Sequence, residues 1–372
     1  RKCSSAKPTG RMAGKDRELE LKFEVPLADA NKLRAHAALG GTASDTVDQV
    51  SIYFDTPKHH LFKDGYSLRV RESGGKIVQT VKAGGETAGL FDRPEWEVAV
   101  KGLEPDLRAL ERTPLGKSKR RLRELVEVTR SQVRRTKWLL DGDGSCIELV
   151  LDEASVSAGS EEVRFGEVEI ELKQGPVERL FDLARDLAQA VPLRVSVTSK
   201  GERGYDLAAG LSGRVRKAAP VALGEEMTVA EAFSATVLAC VRHFRLNEDL
   251  VLADRDPSAL HQGRVAMRRL RAGLSLFGPA IRDEEFAGLR EERRWFTGSL
   301  GDARNLDVFL KRFGEQLQPR DRRKVEQARA RAYDTAVAAI GSQRLRDLML
   351  DLLAWLEFGE WRGGRKAALP IR

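Results

Sequence analysis

Glu18-Leu19-Glu20-Leu21-Lys22 is the stretch that decides the fold of this chain. Read as a strand, successive side chains point to opposite faces, so Glu18, Glu20 and Lys22 share one face and Leu19, Leu21 and Phe23 the other. Two carboxylates and an ammonium in a row make a poor core and a good seat for a metal and an anion. One such strand is weak evidence, because half-exposed strands often alternate Leu with charge. The pattern recurs, however. Ser67-Leu68-Arg69-Val70-Arg71 sets two arginines on one face, Thr80 and Lys82 follow together, and Glu95-Trp96-Glu97 sets two acids around a tryptophan. Arg135-Thr136-Lys137-Trp138 adds two cations, and Glu148 to Asp152 carries acids at its ends. Glu167, Glu169, Glu171 and Lys173 again share a face. Like charges side by side on a sheet repel, so these acids need cations between them. A closed or nearly closed barrel with a charged lumen satisfies that need.

Length and composition bound the rest. At 372 residues the chain has room for two domains. No apolar run approaches about 18 residues, so no membrane span is expected. Residues 1–16 read as a polar, flexible leader without a signal-peptide core. Cys3, Cys146 and Cys240 are few, scattered and odd in number. They offer neither a disulfide framework nor zinc spacing, which fits a reducing, cytoplasmic setting. The net charge of +8 is spread evenly: 26 Lys+Arg against 22 Asp+Glu in residues 221–372, and 38 against 34 before them. Such a balance favours polyanionic partners, and the sparse aromatics argue against nucleic-acid stacking.

Organisation changes near residue 210. Before it, short strands alternate with Gly and Asp turns, interrupted by helices near 29–39 and 177–190, with shorter ones near 103–111 and 115–125. Ser73-Gly74-Gly75-Lys76 lies between two strands as a hairpin turn and not as a phosphate loop. Residues 210–222 form a linker. Beyond it the breaks at Asp256-Pro257, Gly278-Pro279, Gly301, Pro319 and Gly341 divide helices at roughly 228–252, 257–277, 284–299, 303–317, 320–340 and 343–358. On the second of these, His261, Arg264, Arg268 and Arg271 form a basic stripe. The expected class is α+β: an antiparallel barrel, then an all-α bundle.

Glu18-Leu19-Glu20-Leu21-Lys22 resembles the ExExK motif of the CYTH superfamily of triphosphate tunnel metalloenzymes. The resemblance covers about residues 17–209 and continues through Tyr53-Phe54-Asp55-Thr56-Pro57, Leu68-Arg69-Val70-Arg71, Thr80-Val81-Lys82, Arg135-Thr136-Lys137-Trp138, Glu167 to Lys173 and Ser199-Lys200. It implies an eight-stranded antiparallel barrel with the active site in its lumen. By that resemblance Glu18, Glu20, Asp152, Glu169 and Glu171 ligate Mg²⁺ or Mn²⁺. Lys22, Arg69, Arg71, Lys82, Arg135 and Lys200 grip a triphosphate, with Lys137 and Arg203 beside them. Glu18, Glu20, Lys22 and Lys200 are the expected catalytic groups. Glu95, Glu97 and Glu167 orient the cations, bind a second metal, or balance charge. The implied reaction cleaves inorganic triphosphate to pyrophosphate and phosphate. The alternatives are an adenylyl cyclase, a nucleotide or thiamine triphosphatase, or a non-catalytic polyphosphate binder.

Residues 223–372 resemble the CHAD domain, through the segment His261 to Arg271 and through Gly301-Asp302-Ala303-Arg304-Asn305-Leu306-Asp307. That family is associated with polyphosphate, which implicates His261, Arg264, Arg268, Arg269, Arg271 and Arg304. The helical module is usually longer, so an incomplete one is expected here. Inorganic triphosphate is the expected partner and polyphosphate a second one.

Overall fold

The structure is a computed structural model that describes residues 19–83, 94–142 and 144–371, the side chains of Ser118 and Lys119 aside. The chain divides into two compact units, 1–212 and 213–372.

The first unit is built on one antiparallel sheet of nine strands: β1 Leu19–Val25, β2 Ser44–Asp55, β3 Tyr66–Ser73, β4 Lys76–Ala83, β5 Glu95–Ala99, β6 Val126–Gly142, β7 Ser145–Ala158, β8 Glu161–Gln174 and β9 Arg194–Val195. Their order across the sheet is β5-β4-β3-β2-β6-β7-β8-β1-β9. The class is therefore α+β, as the sequence leads one to expect, with a two-residue ninth strand added. Among the described residues the end strands β5 and β9 do not pair with each other. The sheet is nevertheless rolled. Lys82 on β4 lies near enough to Lys22 on β1 to feel its charge, although six strand spacings of a flat sheet would separate them by about 29 Å.

Alternation explains the roll. Leu19, Leu21, Phe23 and Val25 of β1, Val168 and Ile170 of β8, and Leu149 and Leu151 of β7 are all buried. They form the outer face. Full burial of such a side chain contributes about 1.5–3 kcal/mol, so the apolar outer face stabilises the sheet and leaves the inner face free to carry charge. Two longer helices belong to this unit. One, α1 (Glu178–Ala190), buries Leu180, Phe181, Ala184, Leu187 and Ala188. The other, α2 (Lys200–Ala208), is capped by Ser199, whose hydroxyl accepts from the Glu202 amide. The helix expected near 29–39 is only one turn, Ala30–Arg34, between two 3₁₀ turns. At the β3–β4 hairpin Gly74 and Gly75 both have positive φ, 55° and 76°, the backbone that a two-residue type I′ turn requires.

Cys240 is a free, buried thiol. Cys146 is disulfide-bonded, its partner lying outside the described residues, which goes against the expectation of unpaired thiols.

The second unit is helical. Its main elements are α3 (Val229–Asp254), α4 (Pro257–Leu276), α5 (Glu285–Ser299), α6 (Gly301–Phe313), α7 (Pro319–Ile340) and α8 (Gln343–Phe358). Thr228 and Glu231 form a reciprocal capping box at the start of α3. Asp256 caps α4, where Pro257 needs no amide donor. Gly301 starts α6, with Leu300 alone between it and the end of α5, and that helix stops at Phe313, short of the expected 317. Phe233, Phe244, Phe296, Tyr333 and Trp355 are fully buried in the core of this unit. No helix among the described residues is long and apolar enough to cross a membrane.

Candidate active site

Strand register sets the inner face. On β1 and β8, Glu20 lies opposite Glu171, Lys22 opposite Glu169 and Glu24 opposite Glu167. On β8 and β7, Glu167 faces Asp152 and Glu171 faces Glu148. Asp152 in turn faces Arg135 on β6. Three adjoining strands thus make an acidic wall. The opposing wall is basic: Arg69 and Arg71 on β3, Lys82 on β4, with Arg135 and Lys137 of β6 at the border.

The acids converge most closely at Asp152, Glu167 and Glu169, whose oxygens lie within 4.8 Å of one another and are all buried. Cations hold them. Arg135 donates through Nε to Asp152 Oδ1 (2.7 Å) and through Nη2 to Oδ2 (2.6 Å), and Nη2 also reaches Glu169 Oε2 at 2.8 Å. Lys22 Nζ donates to Glu169 Oε1 at 2.7 Å and lies 3.1 Å from Glu20 Oε1. Lys200 Nζ lies 2.9 Å from Asp152 Oδ2 and 3.6 Å from Glu169 Oε1, and it contacts Glu167.

This pairing controls the ionisation. Burial pushes the Glu169 carboxyl up, but Lys22, Arg135 and Lys200 outweigh it and hold the group well below its ordinary value. Asp152 is lowered in the same way, burial being overcome by Lys200 and Arg135. Burial disfavours the charge of Lys22 and of Lys200, yet the surrounding carboxylates raise both. Glu20 differs. Burial raises it to about 7, and the charges of Glu169 and Glu171 add to the rise against the pull of Lys22. On the basic wall, burial and the neighbouring Arg69 lower Arg71 to about 10. Burial and Arg69 also lower Lys82. At Arg71 and Lys82 burial and the repulsion of Arg69 together outweigh the nearby carboxylates, and a bound anion would relieve both.

Neutral and acidic neighbours aim the basic groups. Arg71 Nε donates to Ser51 Oγ at 3.0 Å, Arg69 Nη2 to Thr80 Oγ1 at 3.2 Å, and Thr80 in turn to Glu97 Oε1 at 3.2 Å. Lys82 contacts Glu95. Nothing in the local sequence of Ser51 marks it, since its role depends on the β2–β3 register.

One end of the lumen is covered by α2. A methyl placed on Gly201 would lie 2.7 Å from the Tyr53 ring, and one on Gly204 would lie 2.1 Å from Thr129 Oγ1. Only glycine lets the helix come this close. Tyr205 then donates to the buried Asp55, which also accepts from the amides of Thr56, Leu61 and Phe62. Lys200, first residue of α2, is thereby aimed at the acids.

Of the residues singled out in sequence, Glu18 lies outside the described residues. The structure joins Lys22, Arg135, Asp152, Glu169 and Lys200 in one network, with Glu20 at its edge. Glu171 is drawn aside by Lys173 (2.6 Å) and Lys137 by Glu148 (2.8 Å). Arg203 is engaged elsewhere, contacting Glu24 and stacking 4.4 Å over Phe165. Glu167 stands inside the tightest acidic group.

In the helical unit His261, Arg264, Arg268 and Arg304 converge. Burial first, then Arg304, Arg268 and Arg264, lowers His261 below its ordinary value. Arg269 turns away to the carbonyl of Ala219 (3.2 Å), and Arg271 lies near Arg293. A cavity of about 690 Å³ is lined by Lys217, His261, Arg304, Lys311 and Arg312 among others, with no carboxylate among the described residues around it.

A rolled antiparallel sheet whose lumen opposes an acidic and a basic wall defines the class of the first unit. The chain belongs to the CYTH family, whose domain matches residues 16–205, just over half of it, and it carries a CHAD domain over residues 235–372. It is 32% identical over 154 residues to the inorganic triphosphatase of Haemophilus influenzae. That match covers 41% of this chain and 44% of the relative, so the chain spans under half the length of the curated relative it matches. Among solved structures, the protein HpAC1 from Hippeastrum, described as having a dominant triphosphatase activity, is similar at 20% identity and a TM-score of 0.38, covering 52% of this chain and 96% of that one. The CHAD domain of Ricinus communis is 30% identical with a TM-score of 0.37, covering 41% and 53%. Family membership rests on the CYTH match and not on these likenesses.

Proposed function

We propose that the lumen hydrolyses inorganic triphosphate to pyrophosphate and phosphate, with Mg²⁺ or Mn²⁺ as cofactor. The observation that carries this reading is the opposition of walls: carboxylates on β1, β7 and β8, those of Asp152, Glu167 and Glu169 buried, and the arginines Arg69 and Arg71 on β3. The family and the Haemophilus relative point the same way.

The residues fit a hard divalent ion. Carboxylate oxygens are the donors such ions take, three of them converge at Asp152, Glu167 and Glu169, and Glu167 Oε2 is buried with no hydrogen-bond partner. Asp152, Glu167 and Glu169 would hold the ion, with Glu20 and Glu171 bordering it. Bound there, the ion supplies Lewis acidity to the phosphate oxygens and to the attacking water.

The protein's own groups do the rest. The Arg69 and Arg71 forks and the Lys82 and Lys22 ammoniums bind phosphate oxygens, two as planar donors and two as point charges. Positioning and charge stabilisation are most of what phosphoryl transfer asks of a protein. Water attacks the terminal phosphorus, its oxygen forming the new P–O bond as the bridging P–O bond breaks towards pyrophosphate. Glu20, at the edge of the acidic group, takes the proton that the water loses.

An inorganic substrate is favoured over a nucleotide or thiamine ester because the lumen offers no free stacking surface among the described residues. Tyr53 and Phe165 are the aromatics on its face, and α2 covers both, through Gly201 and Arg203. In the helical unit the basic cavity supports polyphosphate binding. The test is phosphate release from inorganic triphosphate, ATP and thiamine triphosphate, each with Mg²⁺, Mn²⁺ or chelator. Metal-dependent release from inorganic triphosphate well above the other two is expected. Equal release from ATP would overturn the inorganic assignment, and no release would overturn hydrolysis.

A further inference from the structure

The ammonium of Lys200 stands among the three carboxylates suited to a divalent ion. It lies 2.9 Å from Asp152, 3.6 Å from Glu169 and in contact with Glu167. With Lys22 and Arg135 it makes three cations against Asp152, Glu167 and Glu169, and Glu20 lies beside Lys22 at the edge of the group. The orphaned, buried Oε2 of Glu167 shows that one ammonium leaves part of the carboxylates' acceptor capacity unused. We infer that Lys200 is a resident counter-cation that occupies the metal position whenever no divalent ion is bound, and that it must withdraw before one can enter.

The surroundings make this a side-chain movement and not a helix movement. Gly201 against Tyr53, Gly204 against Thr129 and Tyr205 on Asp55 pin the backbone of α2. The lysine stem, with its flexible four-carbon chain, is left as the mobile part. Exchange of a monovalent ammonium for a divalent ion adds one positive charge to the group and frees Lys200 for the incoming phosphate. Competition from Lys200 keeps the ion weakly held until a polyanion is there to receive the ammonium, so metal and triphosphate load together. This inference rests on the hydrolase reading for its consequence, but not for its test.

The test is Mn²⁺ titration of the full chain at pH 7.5 without triphosphate, following the loss of the free-ion EPR signal. Lys200→Met should bind Mn²⁺ at least tenfold more tightly than the wild type, and Lys200→Arg, which keeps the charge, no more tightly. A Lys200→Met variant that binds Mn²⁺ no better than the wild type overturns the inference. Should that variant not fold, crystals of the wild type soaked at saturating Mn²⁺ decide. An anomalous peak among Asp152, Glu167 and Glu169 with Lys200 withdrawn is expected. Lys200 unmoved with the ion elsewhere is the contrary result. Failure of the wild type to cleave triphosphate sinks the hydrolase reading and leaves the Mn²⁺ result to judge Lys200 independently.

Discussion

A methyl group on Gly204 of α2 would lie 2.1 Å from Thr129 Oγ1 on β6. Thr129 is buried, and its hydroxyl is committed to the carbonyl of Ser157 at 2.8 Å, so it has nowhere to go. Gly204→Ala should therefore lift α2 off the sheet and cost about 1–3 kcal/mol in chemical denaturation. Adding Thr129→Ala should recover part of that loss. Independent, additive effects in the double-mutant cycle would refute the contact.

The same helix is tied by Tyr205. Tyr205→Phe removes one of the donors to Asp55, a buried carboxylate that keeps its three amide partners. A loss of about 1–3 kcal/mol is expected, read as a lower melting temperature. Because Lys200 begins this helix, turnover of triphosphate should fall as well. Full activity would show that Tyr205 does not help to aim Lys200.

Arg135 is the main partner of Asp152 and shares Glu169. Arg135→Met leaves Asp152 with Lys200 and Glu169 with Lys22 but the acidic group one cation short, and should cost up to about 3–5 kcal/mol, the range for a buried pair broken from one side. Asp152→Asn in the same chain should restore part of the stability, since the excess negative charge is gone. No rescue would mean that Arg135 acts by packing and not by charge.

Glu20 sets a pH dependence. Its folded value is raised from 4.5 to about 7, so its ionised form is disfavoured in the fold. The cost is absent below pH 4.5, grows between 4.5 and 7, and is complete above 7. Measured with chelator, Glu20→Gln should match the wild type near pH 4.5 and exceed its stability at pH 8 by up to about 3 kcal/mol. Equal stability at pH 8 would remove Glu20 from this role.

In the helical unit, Arg304→Glu should weaken polyphosphate binding several-fold at low salt and less at high salt, where exposed charges are screened. Arg271→Glu should change it little. Fluorescence titration at two salt concentrations checks both. An equal loss from the two variants would show that the whole stripe binds, not the cavity.

The strands of the lumen were legible because their alternation is local. Glu20 with Lys22, Arg69 with Arg71, and Glu167 with Glu169 share faces by period 2 alone. Contact between strands was not legible, since register is set by partners far away in the chain. That is why the sequence leaves Glu167 between orienting cations, binding a second metal and balancing charge, while the fold stands it beside Asp152. Gly201 and Gly204 are needed only because Tyr53 and Thr129, far away in the chain, pack against them. On α4 the stripe splits for a geometric reason. At 3.6 residues per turn, Arg264 and Arg268 stay within about 60° of His261, whereas Arg269 and Arg271 swing about 80° to either side.

The most direct test of the central claim is single-turnover phosphate release from inorganic triphosphate by the wild type, Glu169→Gln and Arg71→Met, with Mg²⁺ and with chelator. Release by the wild type with Mg²⁺ only, loss of the chemical step in Glu169→Gln, and weaker substrate binding in Arg71→Met are the results predicted. Undiminished release by both variants would contradict the lumen as the site of reaction.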